Sequence, residues 1–236
     1  MKKLFMAVIA LMMTLSASAQ FYIYCSDGNV IKVDSISMVA PAHEYVDLGL
    51  PSGLKWATCN VGANAPEEYG DYFAWGEVEP KDYYDWDSYK WCKGNGDTQT
   101  KYCNNSHYGY NGFTDYKTTL ELSDDAAHVN WGGAWRMPTK AEQDELRELC
   151  TWTWTTQNGV NGYTVTGSNG NSIFLPAAGY RYDSSLYLAG SYGNYWSSSL
   201  YTDDPSGAWG VDFYSSGVGR YGNLRNYGFS VRPVCQ

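Results

Sequence analysis

Ten Ser, eight Tyr, eight Gly, four Asp and three Asn fall between Arg181 and Arg232, a window of 52 residues that holds no Lys, Glu, Gln or Met. All ten Lys and all nine Glu of the chain precede it. This is a palette for recognition. Tyrosine offers a large rigid amphipathic face at low entropic cost, while Ser, Gly, Asn and Asp supply adaptable hydrogen bonding. The ligand-binding set expected from the window is Tyr182, Tyr187, Tyr192, Tyr201, Asp203, Asp212, Tyr214, Arg220, Tyr221, Asn223 and Tyr227. The competing reading is a Gly-rich β surface whose turns and cross-strand pairs favour the same residues. Catalytic signatures are missing: no nucleophile elbow, no zinc-ligand pair and no cysteine pair placed for oxidation chemistry occurs, so no enzyme activity is expected.

Acidic side chains crowd another stretch, with Glu67, Glu68, Asp71, Glu77, Glu79, Asp82, Asp85 and Asp87 within 21 positions. Their spacing matches no EF-hand loop, and a solvated acidic face is expected in place of a metal site. No metal ligand and no cofactor is assigned, with room left for a structural calcium. His43 reads as an exposed linker residue and His128 as a half-buried packing residue. The six Cys (25, 59, 92, 103, 150 and 235) show no C-x-x-C spacing, which argues against structural zinc. In an exported chain an even count favours disulfides. Cys92 and Cys103, eleven apart across Lys93-Gly94-Asn95-Gly96, suit a local loop-closing bridge.

The elements that would position these residues follow from the pattern. Residues 1–19 (Lys2, Lys3, an apolar run, then Ala17-Ser18-Ala19) have the form of a secretory signal peptide, implying a periplasmic, cell-surface or secreted protein. No transmembrane segment is expected, because no other stretch approaches the roughly 20 apolar residues needed to span a bilayer. Removal of Lys2 and Lys3 takes the formal charge from −9 to −11 by loss of two positive charges, which argues against nucleic acid as a partner. Residues 20–42 read as a short β-hairpin and linker, and 43–236 as one domain. Leu50-Pro51-Ser52-Gly53 marks a hairpin turn. The aromatic stretch from 65 to 125 reads as an ordered insertion, because so many Tyr and Trp would not be left solvated. Helices are expected over 123–130 and after Thr139, where Thr139-x-x-Glu142 forms a capping box and Leu146, Leu149 and Cys150 an apolar edge. Strands follow, with turns at Asn158-Gly159, Asn161-Gly162 and Asn169-Gly170. In the run AWGVDFY, Trp209, Val211 and Phe213 should face the core and Gly210, Asp212 and Tyr214 outward. In the terminal GFSVRPV, Phe229 and Val231 should point inside.

Five ordered motifs, EYVDLGLPSGLKWATCNVGA, YGDYFAWGE, WGGAWRMPTKAE, GNYWSSS and GFSVRPV, resemble the Fibrobacter succinogenes major paralogous domain, a group of exported bacterial proteins related to C-type-lectin-like domains and formylglycine-generating enzymes. The resemblance spans about Glu44 to Val234. It implies an α+β lectin-like fold of short helices on twisted antiparallel strands, with a frame including Trp56, Trp75, Trp135, Leu146, Phe174, Trp196, Phe213, Phe229 and Val231. It also implies a Cys150–Cys235 disulfide tying a helix to the last strand. The calcium-lectin motifs Glu-Pro-Asn, Gln-Pro-Asp and Trp-Asn-Asp are not present. Relatives of this kind include proteins diversified by retroelements, where randomised AAC codons cannot yield Lys, Glu, Gln, Met or Trp; the composition of the window fits. The function implied is an exported recognition protein for a protein or glycan ligand, protein ranked first. A fixed carbohydrate-binding or adhesion protein ranks second, and a formylglycine-generating type of enzyme last.

Overall fold

The computed structural model describes residues 21–24, 30–33 and 43–236. The expected signal peptide, the 26–29 turn and Cys25 lie outside the described residues. Contacts divide the chain into two units, Met1–Ala42 and His43–Gln236. In the first, β1 (Phe21–Tyr24) pairs antiparallel with β2 (Val30–Val33).

The second unit corrects the expected α+β class. Strand makes up 36% and helix 11% of the residues, in several small antiparallel sheets around only two α-helices, so the fold is mostly β and gives no clear evidence of a lectin-like α+β architecture. The helical signals were real but short. Asp125, not Ser123, caps α1 (Ala126–Trp131) by accepting from the His128 amide, and a 3-10 turn at Leu122–Asp124 replaces the expected first turn. α2 (Lys140–Leu149) carries the complete Thr139–Glu142 capping box. It buries Leu146 but leaves Leu149 half out in solvent.

Three sheets build the body: β3 (Tyr45–Asp47), β4 (Lys55–Ala57) and β13 (Val234–Cys235); β5 (Thr151–Gln157), β6 (Val160–Thr166) and β7 (Ser172–Pro176); and β10 (Tyr192–Leu200), β11 (Gly207–Tyr214) and β12 (Gly217–Leu224). A separate hairpin pairs β8 (Tyr180–Tyr182) with β9 (Ser185–Tyr187). The 50–53 turn closes as expected, with the Gly53 amide donating to the Leu50 carbonyl at 2.9 Å. Asn158-Gly159 joins β5 to β6 with both residues at positive φ, the backbone of a two-residue type I′ hairpin. Asn161-Gly162 makes no turn. It runs within β6, where a Cβ on Gly162 would stand 2.3 Å from the Leu175 carbonyl oxygen, so the glycine serves close approach of β7.

The β10–β11–β12 sheet is packed on both faces, as consecutive β10 residues show. Tyr195 enters a core with Val211, Phe213, Leu146, Leu175 and Trp56, while Trp196 enters a second core with Phe73, Trp75, Ala208 and Phe229. The aromatic insertion is ordered by that second core and by a third around Tyr72, Tyr84 and Tyr89. Among the expected frame residues, Trp135 is only half-buried. It meets Trp131 edge-on, and His43, in place of hanging free in a linker, stacks flat on Trp131 at 3.7 Å. The terminal segment departs from simple alternation: Phe229 and Val231 are inside, but Ser230 and Arg232 are buried as well. Arg232 donates to Asn60 Oδ1 and to the carbonyls of Ala57, Thr58 and Phe174. Arg225 is buried in the same manner, donating to Tyr89 Oη and to the carbonyls of Lys101, Tyr102 and Pro205.

The five described cysteines are all thiols. Neither expected bridge, Cys92–Cys103 nor Cys150–Cys235, is formed. Cys92 and Cys103 each spend their Sγ on a nearby carbonyl, of Trp86 and Asn105 respectively, both at 3.1 Å. Cys235 sits in β13 opposite Lys55, and Cys150 packs at the edge of the first core. Burial raises all of these thiols above their ordinary range, which disfavours the reactive thiolate.

Candidate functional site

The second face of the β10–β11–β12 sheet is covered over only part of its length. Antiparallel register aligns Tyr192 with Tyr214, Asn194 with Asp212, and Trp196 with Gly210 across β10 and β11. Across β11 and β12 it aligns Gly210 with Tyr221, Asp212 with Gly219, and Ala208 with Asn223. Directly paired residues share a face, so all of these point away from Tyr195, Val211 and Phe213. Trp196 and Ala208 are then covered by the second core. Among the described residues the outer end is open, and it forms a cavity of about 320 Å³ lined by Tyr192, Asp212, Tyr214, Tyr221, Gly222 and Asn223.

Its walls are aromatic. Tyr192 and Tyr214 stack at 5.4 Å between ring centroids, and Tyr221 is 54% exposed. Glycine makes room for these rings: a Cβ on Gly219 would stand 2.5 Å from the ring of Tyr221, which therefore lies along its own strand. Asp212 is the polar centre. It is half-buried, and Asn223 Nδ2 donates to its two oxygens at 3.2 and 3.1 Å. Asn194 assists from β10. Burial dominates over these donations and pushes the Asp212 carboxyl up to about 6. Asn194 itself is buried, with Oδ1 left without a partner.

The eleven expected binding residues thus separate into three groups and one residue, Asp203, that stands alone. Tyr192, Asp212, Tyr214, Tyr221 and Asn223 meet in the cavity. Tyr182, Tyr187 and Tyr227 gather around Tyr180, which stacks on Tyr187 and on Tyr227 at 5.6 Å each. Tyr201 and Arg220 lie on the opposite face of the sheet. There Tyr201 meets Trp209 edge-on at 4.7 Å and Arg220 lies 4.9 Å over the same indole. Arg220 also donates to both carboxylate oxygens of Asp144 on α2, at 2.8 and 2.7 Å, and is a structural clasp. Asp203 is exposed in the β10–β11 connection, where Asp204 makes the turn's hydrogen bonds to Ser206.

Sequence reading passed over Tyr180, Asn194 and Asp144. Asn194 had a usable signal, being the one amide in the run GNYWSSS. Asp144 had none, since its partner lies 76 positions away. Among the described residues no group of three or more His, Cys, Asp and Glu is placed to hold a metal ion, and no helix is long and apolar enough to cross a membrane.

A family profile described as a domain of unknown function, DUF8237, matches residues 144–234. The match begins inside α2 and takes in the whole β10–β11–β12 sheet with its cavity. No curated protein and no solved structure matches the chain.

Proposed function

We propose that the protein is an exported, non-catalytic recognition protein whose ligand enters the tyrosine-walled cavity on the open end of the β10–β11–β12 sheet. The observation that carries this reading is the convergence of five of the eleven expected residues, Tyr192, Asp212, Tyr214, Tyr221 and Asn223, on one concave site. Rigid rings surrounding a few directed polar groups are the usual composition of small binding sites. Two exposed rings held in mutual contact are pre-ordered, so little side-chain entropy is lost on binding. A protein ligand ranks above a glycan. A fixed carbohydrate-binding or adhesion role is the second reading, favoured by the flat stack of Tyr192 on Tyr214. Export rests on the form of residues 1–19, and kinship with the Fibrobacter succinogenes major paralogous domain on the five sequence motifs.

The test is capture on glycan and cell-surface-protein arrays by the wild-type chain and by a Tyr192→Ala/Tyr214→Ala/Tyr221→Ala variant. All three rings are at least 36% exposed, so the variant should fold and lose capture. Undiminished capture would remove the cavity from consideration, and turnover of a peptide thiol with oxygen consumption would replace the reading with an enzyme. Retroelement diversification, a further part of the proposal, is tested at the codon level. Tyr182, Tyr192, Tyr201, Tyr214, Tyr221 and Tyr227 should share the TAC codon inherited from AAC. Free mixing with TAT would leave a fixed receptor.

A further inference from the structure

Resting on the recognition reading above, we propose that the cavity takes the cationic end of a basic side chain, lysine or arginine, presented by a protein partner: Asp212 supplies the counter-charge, and the rings of Tyr192, Tyr214 and Tyr221 enclose the cation.

The argument begins with what faces Asp212. From β10 come Tyr192 and Asn194, from its own strand Gly210 and Tyr214, and from β12 Gly219, Tyr221 and Asn223. None is a cation. The nearest basic residue in sequence on these strands, Arg220, is turned to the other face and held by Asp144. A carboxylate drawn partly out of water and met only by neutral amides carries an uncompensated desolvation cost, which a bound cation would offset. Both contacts from Asn223 are longer than an ordinary charge-assisted bond, leaving acceptor capacity on each oxygen.

The walls complete the case. Tyrosine faces attract ammonium and guanidinium groups through the ring quadrupole, most strongly where water is excluded. Here three rings flank one carboxylate. At about 320 Å³ the cavity is at the small end of binding pockets. That suits a single side chain. A formal charge of −9 over the whole chain would also draw a basic partner surface toward the site. A neutral sugar could stack on the same rings but would leave the Asp212 charge unanswered.

The deciding experiment titrates the full chain, followed by NMR or calorimetry, with Nα-acetyl-lysine methylamide, Nα-acetyl-arginine methylamide and, as a neutral probe, methyl glucoside. The cationic probes should bind and the glucoside should not. Asp212→Asn, which keeps the shape of the site, should weaken cation binding at least tenfold while melting cooperatively at a temperature no lower than that of the wild type. For the wild type, affinity should fall about tenfold per pH unit below about 6, as the carboxyl takes up its proton. Failure of both cationic probes, equal binding of the glucoside, or undiminished binding by Asp212→Asn would each overturn the inference. The recognition reading would survive any of these provided array capture still depended on the three tyrosines; loss of that dependence would sink the reading itself.

Discussion

Asp212 and Arg225 illustrate opposite ways of holding a charge inside this protein. The Asp212 carboxyl is raised from its ordinary value to about 6 by burial, so the folded state binds a proton more readily than the unfolded chain. Its contribution to stability is therefore most favourable at low pH and is lost as pH rises through about 6. Asp212→Asn should raise the melting temperature at pH 7.5, by a free energy on the order of 1–2 kcal/mol, and the gain should vanish below pH 4. A variant that is less stable at pH 7.5 would show that the carboxylate is needed by its neighbours. Arg225 is buried yet fully served, by Tyr89 Oη and three backbone carbonyls, with its guanidinium 4.9 Å over Trp75. The planar fork binds four separate acceptors at once, which an ammonium cannot reproduce. Arg225→Lys should therefore cost about 3–5 kcal/mol in urea unfolding, the range seen when a buried charged network is broken.

At the scale of elements, the abundance of glycine in the C-terminal strands has a packing cause. A Cβ on Gly193 would stand 2.0 Å from the Phe213 ring, and one on Gly222 would stand 2.3 Å from Tyr201. Gly193→Ala drives a methyl into a ring that is wholly buried, and should destabilise by about 2–3 kcal/mol. Gly159→Ala, at a positive-φ turn with open space around it, should cost only about 1 kcal/mol of backbone strain. Comparison of the two by thermal melts separates crowding from strain, and equal losses would contradict the packing account. The Arg220–Asp144 clasp joins β12 to α2 from the face opposite the cavity. Arg220→Ala should lower stability by about 1 kcal/mol and leave array capture unaltered. Loss of capture with normal stability would place the ligand on the wrong face.

For the whole molecule, two cores meet across one sheet, and the tyrosine-walled cavity exists because the second core stops short of the sheet's end. Trp196, Trp75 and Phe229 cover the portion next to Gly210, and among the described residues no further bulky side chain lies over Tyr192, Asp212 and Tyr221. Since the five described cysteines are thiols and not cross-links, stability rests on these cores. Adding a reductant should leave the melting temperature unchanged. A drop of several degrees would reveal a bridge, since a disulfide typically stabilises by about 2–4 kcal/mol.

The sequence alone determined what depends on neighbours along the chain. The capping box at Thr139, the Asn158-Gly159 turn and the alternation of Val211 and Phe213 against Asp212 and Tyr214 were legible because each is set by residues within a few positions. The Tyr and Ser bias of the last quarter is likewise a property of the sequence alone, and five of the eleven residues expected from it line the cavity. Tertiary structure decided the rest. Local signals for two helices could not show that the thirteen strands among the described residues would outweigh them, since short bridging strands form only when distant segments meet. Nor could periodicity tell Ser230 and Arg232 from surface residues, because a strand packed on both faces buries both phases of its alternation. The sorting of ten of the eleven candidate residues into a cavity, a tyrosine stack and a clasp depended on register. A shift of one residue in pairing would send Asp212 to the core face and Phe213 to solvent, and that choice is made by the fit of two cores across the sheet.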